Sequence, residues 1–435
     1  MSDSRSFDDI PEIPLGTAGL AGVTPTLVER FERGQRITRA PIFGGQMVFL
    51  VGPEMNRHVL TTGRHRFSNH QGWGMVFGEP PNLVTLDGEP HDQQRRSAAP
   101  AFQTKRMDGY LPMVDEEIRA RIADWGDRDE VDVYEETRRL TFDLAARAFL
   151  GMEPGPELEL IREGYLVDLG LQRRGARTDA EALLKRKIAE RREGEHDDAL
   201  ALLARHVNED GSTLSDDQVV AHAKFLLQAG YETSASLGAW SLYLLIVHPE
   251  YRERVIAELA EHSLGDPPMH DEIRQLEVID RLTMEAERLY PPVGFGPRGT
   301  AEAIEVEGYH LPAQTFVFYA IGASHMLPSY WQNPTEFDPD RFAPPREEHK
   351  KDPYVMVGFG GGPRRCIGMT FARAELALLV ARVFERYELE AVEGIEVTQS
   401  FGITARPLNG MRLRARPRAE ALGPSAGAAT TTRSL

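Results

Sequence analysis

The segment Phe359-Gly360-Gly361-Gly362-Pro363-Arg364-Arg365-Cys366-Ile367-Gly368 contains the single cysteine of a 435-residue chain. Its consecutive glycines relax the backbone limits and let another group approach closely. They do not make a phosphate-binding loop, because no Gly-Lys-Ser/Thr comes after them and Pro363 interrupts them. Nor is there a βαβ pattern downstream, as a dinucleotide-binding turn requires. Beyond Cys366 the chain reads IGMTFARAELALLVARVFERY, an amphipathic helical sequence. A cysteine at a helix N-terminus feels the positive end of the dipole and accepts backbone N–H bonds, and both favour the thiolate. Three roles are open: a buried structural cysteine, the usual fate of a lone one; a nucleophile, although no His is adjacent in sequence; or a thiolate ligand.

Composition narrows the choice. A chain of this length buries one large core or two smaller ones, and 41% hydrophobic residues is ordinary for a globular protein. The net charge of −17 argues against a nucleic-acid binder, which needs Lys and Arg to neutralise phosphates. One cysteine excludes an internal disulfide, a zinc–thiolate cluster and a self-contained iron–sulfur centre. No signal pattern opens the chain, and its longest apolar stretch, Leu237 to Val247, is short of the ~20 residues a membrane span needs. The expectation is a soluble cytoplasmic protein.

Residues 1–14 and the Ala/Gly/Thr/Ser-rich end from 417 to 435 read as unpacked termini around one domain over 15–416. RITRAPIFGGQMVFLV, near residues 36–51, predicts a small antiparallel sheet. From about 90 to 290 the helical period dominates. The longest predicted helix runs from Ser215, its N-cap, to His248 before Pro249, and would span roughly 50 Å. Past residue 297 short strands and turns prevail, with a last helix near 368–388. The fold class is mainly α with a minor β part, a long central helix and small antiparallel sheets.

The cysteine segment resembles, at every specified position, the haem-binding signature Phe-x-x-Gly-x-Arg/His-x-Cys-x-Gly of the cytochrome P450 family. Other family-like motifs flank it in the expected order over roughly residues 25–416. The resemblance implies a soluble, bacterial-type haem-thiolate monooxygenase. It makes Cys366 the axial ligand of haem b (iron protoporphyrin IX), with Phe359 and Gly368 at the two ends of the ligand loop.

Ala229-Gly230-Tyr231-Glu232-Thr233-Ser234 in the long helix is similar to the family's oxygen-activation motif. There Gly230 leaves room for dioxygen, Thr233 bonds to it or to water, and Glu232 relays protons. The plainer reading has Thr233 bonding back to the carbonyl of Ala229, with Glu232 an ordinary surface acid. Glu285-Ala286-Glu287-Arg288 resembles the Glu-x-x-Arg motif, and the downstream FDPDRF supplies Arg341. The implied arrangement is a buried network with Glu285 between Arg288 and Arg341. His91 and Arg95, four apart on one helix face, resemble a propionate-binding pair, and Arg298 and Arg364 match two further propionate positions. One departure stands out. Where the family has Asn/His-Arg-Asp, this chain reads Ser324-His325-Met326-Leu327-Pro328, which removes a local ion pair.

By the same resemblance, the substrate pocket draws on Trp73, Met75 and Phe77, on Phe225, Leu226 and Ala229, and on Val293, Phe295 and Ile403. ERLYPPVG and QNPTEFDPDRF resemble the retinoid-, steroid- and fatty-acid-oxidising branch, implying a lipophilic substrate. With no flavin or iron–sulfur segment in the chain, electrons are expected from a ferredoxin and its NAD(P)H-dependent reductase, and the oxidant is dioxygen. Two alternatives remain: a hydrogen-peroxide-driven peroxygenase, and a non-catalytic haem-based ligand sensor.

Overall fold

The computed structural model describes residues 5–14, 22–42, 44–166, 175–392, 394, 397–400, 404–408 and 410–418. Its axis is the helix Asp216–Val247, 32 residues long and unbroken across Gly230. Ser215 caps it as expected. The Ser215 side chain accepts from the Gln218 N–H while Gln218 reaches back to the Ser215 N–H, so orphan donors are met reciprocally. Helical propagation therefore carries through both of its glycines, Gly230 and Gly238, without local unwinding.

Most of this helix is buried, and its principal partner is the helix Val133–Leu150. Thr137 and Thr141 donate across the contact to the carbonyls of Ala235 and Tyr231. A Cβ on Gly230 would lie 3.0 Å from the Ala145 Cβ and 3.2 Å from the Phe149 ring. The glycine thus lets two helices approach closely, besides bordering the internal cavity at Cys366. The helices Glu277–Leu289 and Met369–Arg386 close the same apolar core from the other side.

A five-stranded sheet forms the minor part. Its order is Ile37–Ile42, Gly45–Leu50, Phe316–Tyr319, Gly296–Thr300, Phe67–Ser68. The first two strands form the expected antiparallel hairpin, Ile37 opposite Leu50. The second pairs in parallel with the third, Val48 opposite Val317. In this sheet Arg298 lies opposite Val317, at the edge of the helical body.

The N-terminal expectation needs correction. Residues 5–14 are packed: Ile10 and Ile13 are 2% and 1% exposed, the Arg5 N–H donates to Gly308, and the Ile13 N–H donates to Arg39. Two isoleucines among acids suffice to seat the segment on the sheet, because each buries a full branched side chain. At the other end the strand Arg412–Pro417 pairs with Tyr387–Ala391, and Arg418 still donates to Arg386. The packed chain therefore reaches past residue 417. Residues 419–435 lie outside the described part.

Candidate active site

The cysteine segment is a tight loop. The Cys366 N–H donates to the Phe359 carbonyl at 2.7 Å and the Gly360 N–H to Val357 at 2.8 Å. Gly360 and Gly362 have φ of +70° and +57°, and a Cβ on Gly362 would meet the Leu60 carbonyl oxygen at 2.6 Å. The two glycines are therefore required by backbone conformation, the second by contact as well. Gly368 caps the next helix, Met369–Arg386.

Cys366 is enclosed by protein, yet its surface remains accessible because an internal cavity opens onto it. Burial pushes its thiol up from the ordinary value, against the Gly368 N–H and Arg95, which favour the anion. The helix-end effect expected to hold a free thiolate is thus outweighed by desolvation in the ligand-free protein.

The cavity is about 240 Å³ and is bordered by His91, Arg95, Arg298, Arg364 and Cys366 together with Trp73, Phe225, Leu226, Ala229, Gly230, Thr233, Val293, Phe359 and Gly368. No Asp or Glu among the described residues borders it. Arg298 is 4% exposed and donates to the carbonyl of Pro297, with its guanidinium 5.2 Å from the Tyr319 ring centre. Arg364 donates through Nη2 to Leu86, but its Nη1 is buried without a partner. Burial and the charge of Arg298 push the Arg364 pKa down to about 10. His91, 2% exposed, holds Nδ1 2.8 Å from Asp92. Burial and Arg364 nevertheless lower its pKa to about 4. Basic groups crowded around an apolar cavity, one with an orphaned donor, fit a ligand that brings its own carboxylates. A thiolate donor on the same cavity fits iron. Haem with its two propionates satisfies both requirements.

A family model described as cytochrome P450 matches residues 170–410. The chain belongs to the cytochrome P450 family. Cytochrome P450 136 of Mycobacterium tuberculosis is 33% identical over 88% of this chain and 83% of its own length. Cyclooctat-9-en-7-ol 5-monooxygenase of Streptomyces melanosporofaciens is 31% identical over 88% and 92%. Among solved structures, a cyanobacterial cytochrome P450 with bound retinoic acid superposes with a TM-score of 0.81, at 27% identity over 94% of this chain and 99% of its own. Membership makes the chain a haem-thiolate monooxygenase with a mainly helical P450 fold.

A second cavity, about 220 Å³, adjoins the first and shares Trp73, Phe225, Ala229, Thr233, Val293, Phe359 and Cys366 as walls. Phe77 borders it too, its ring edge-on to Phe225 with centroids 5.4 Å apart. Two expected pocket residues do not converge here. Met75 is 66% exposed, because the helix Asn69–Phe77 turns that position outward while Trp73 and Phe77, four apart, face inward. Phe295 packs against Phe49 and Phe318 and borders a different cavity beside the helix Val23–Glu32. The two side chains diverge because the chain bends at Gly294, ahead of the strand Gly296–Thr300, so Val293 meets the cavity while Phe295 packs onto the sheet. Ile403 lies outside the described residues.

Thr233 borders both cavities, and its hydroxyl donates to the Ala229 carbonyl at 2.7 Å. Glu232 points elsewhere. It accepts from the Tyr134 hydroxyl at 2.7 Å and lies 3.7 Å from Arg138 and 3.6 Å from Arg406. It is neither a plain surface acid nor a wall of the cavity.

Beneath the loop, Glu285 accepts from Arg288 twice at 2.7 Å and from Arg341 at 3.1 Å, all three side chains fully buried. Glu348 joins as a further acceptor of Arg341. The departure at Ser324–Pro328 is absorbed without a charge: His325 Nε2 accepts from the Val357 N–H, and the His325 carbonyl accepts from Arg288.

Two buried acids escaped sequence reasoning. Glu375 sits in the apolar run AELALLVA, its pKa raised to about 8 by burial against a single bond from Ser234. Glu287 borders both the second cavity and a cleft on the cysteine side, raised to about 7 by burial and opposed by Arg373. An acid inside an apolar helical face was the available signal for Glu375.

Proposed function

We propose that this monooxygenase hydroxylates a lipophilic small molecule, terpenoid, retinoid, steroid or fatty-acid-like in size and character. The observation that carries the reading is Cys366 opening into a cavity rimmed by basic residues and walled by aromatic ones. Haem bound there supplies reductive activation of dioxygen. Cys366 would ligate it, while His91, Arg95, Arg298 and Arg364 would hold its propionates. Thr233, on the cavity wall, would hold a hydrogen bond at the oxygen site after exchanging its Ala229 partner. Glu232, which accepts from Tyr134 and pairs with Arg406, would relay protons from solvent to that site. Relatives named for cyclooctat-9-en-7-ol and for retinoic acid binding support a substrate of this class.

Electrons would come from a ferredoxin and its NAD(P)H-dependent reductase. Lys350, Arg365 and Arg373 border the cleft beside the cysteine loop and would attract an acidic donor. The test is reconstitution. The haem-loaded, reduced protein should give the red-shifted carbon monoxide band of thiolate ligation, and Cys366→Ala should lose it. With the electron donors added, Thr233→Ala should still bind substrate but divert reducing equivalents into hydrogen peroxide. A band that survives in the alanine variant rules out Cys366; unchanged coupling rules out Thr233.

A further inference from the structure

We infer that the substrate is an uncharged lipophile bearing one hydroxyl or carbonyl oxygen, and that the Gln228 amide is the group that holds this oxygen. The inference rests on the monooxygenase reading and narrows its substrate class. The second cavity is walled by Trp73, Phe77, Phe225, Leu237, Val293 and Leu376. Among the described residues bordering it there is no Lys, Arg or His. Apart from Cys366, its one ionisable wall among them is Glu287, an acid. The basic residues of the neighbouring cavity are those assigned to the propionates. A carboxylate, phosphate or sulfate headgroup entering the second cavity would shed water without gaining a counter-charge, a cost well above that of burying a neutral oxygen.

The polar wall groups differ in what they have left to offer. Thr233 is bonded to Ala229, and Ser234 is bonded to Glu375. Thr404 contributes one hydroxyl. Gln228 contributes an amide with no side-chain partner among the described residues, three residues along the central helix from Phe225 and hence beside the Phe77–Phe225 aromatic pair. An amide both donates and accepts, so it serves a hydroxyl or a ketone equally, and it carries no charge to reward an anion. Aromatic walls with a single amide therefore select an oxygenated but neutral skeleton.

The experiment titrates the haem-loaded protein by substrate-induced difference spectra, with quenching of protein fluorescence as a second readout. The probes are C15–C20 isoprenoid and steroid alcohols and ketones, the carboxylic acids of the same skeletons, and the deoxygenated hydrocarbons. Alcohols or ketones should bind at least about tenfold more tightly than the matched acids. Gln228→Leu should weaken the oxygenated neutral ligands about tenfold, the worth of one neutral hydrogen bond, and leave the hydrocarbons unchanged. Acids that bind as well as alcohols overturn the inference. So does a Gln228→Leu variant that weakens hydrocarbons and alcohols alike, which marks Gln228 as packing only. If no probe binds while the thiolate carbon monoxide band is present, the substrate class is wrong and the haem-thiolate reading survives; if the band itself is missing, that reading falls first.

Discussion

Two pairs of arginines among the described residues, Arg288 with Arg341 and Arg298 with Arg364, differ in what surrounds the charge. Arg288 and Arg341 share Glu285, and Arg341 also takes Glu348. Their remaining donors go to the carbonyls of His325, Gln332, Asn333, Pro334 and Glu336. Arg298 and Arg364 border a cavity with no acid among its described walls; Arg298 donates to a neighbouring carbonyl, and Arg364, with Asp87 3.7 Å from its Nη2, leaves Nη1 without a partner. The first pair is complete within the chain and holds the segments beneath the cysteine loop in register. The second is complete only with an anionic ligand. A guanidinium whose donors are all met inside the chain is architecture; one that keeps an unmet donor beside a cavity is the candidate for binding an anion.

The sharpest way to break this contrast is to remove charge from each pair in the haem-free protein. Glu285→Gln leaves two fully buried guanidiniums with Glu348 as their only close carboxylate among the described residues. It should cost about 3–5 kcal/mol in chemical denaturation, because breaking a buried pair strands its partner. A loss below about 1 kcal/mol would mean that the backbone carbonyls alone support those arginines.

Arg364→Leu should behave oppositely. Haem-free stability should be unchanged or slightly higher, since the substitution removes an incompletely partnered donor and relieves its repulsion with Arg298. Haem affinity should fall about 10- to 100-fold, the range for one charge-assisted hydrogen bond. Both quantities are accessible, by denaturation without haem and by haem transfer to a competing haem-binding protein. Equal losses of stability in Arg364→Leu and Glu285→Gln would erase the distinction.

The smallest effect concerns His91. Its pKa near 4 in the ligand-free protein leaves the ring neutral at neutral pH, with its proton on Nδ1 toward Asp92. A bound propionate raises that pKa, so the stabilisation from charged His91 is complete below about pH 4 and is lost as pH rises through the bound-state value. Haem affinity should therefore decline modestly with pH above about 4, with proton uptake on binding detectable by calorimetry in buffers of different ionisation enthalpy. His91→Gln should flatten this part of the profile. An unaltered slope in that variant would place the uptake on another group.

Sequence and structure agree best where function is written in contiguous residues. The cysteine loop depends on backbone conformations at Gly360 and Gly362, and the central helix depends on Ser215, Gln218 and an uninterrupted propensity. Each of these is local chemistry, readable from spacing. The Glu285 network was legible because Glu285 and Arg288 lie three apart on one helix and Arg341 sits in a recognisable segment. The pocket walls were harder. Trp73 and Phe77 face inward while Met75 does not, and Val293 faces the cavity while Phe295 supports the sheet. Helical periodicity says which residues share a face, but not which face meets the cavity, and the bend at Gly294 breaks any strand period between Val293 and Phe295.

The amino-acid sequence by itself determined the mainly helical class, through its apolar period, while the haem-thiolate reading and the choice of Cys366 came from the resemblance of its cysteine segment to the family signature. Only the tertiary structure decided that Glu232 turns to Tyr134 and Arg406 instead of the cavity, that Ile10 and Ile13 pin the N-terminal segment, and that Gln228 stands as a lone amide among aromatic walls. These outcomes depend on which distant elements converge, and on the charge each brings with it. Desolvation makes such convergence decisive: a polar group is worth what its buried neighbours offer it, and those neighbours come from tens or hundreds of residues away.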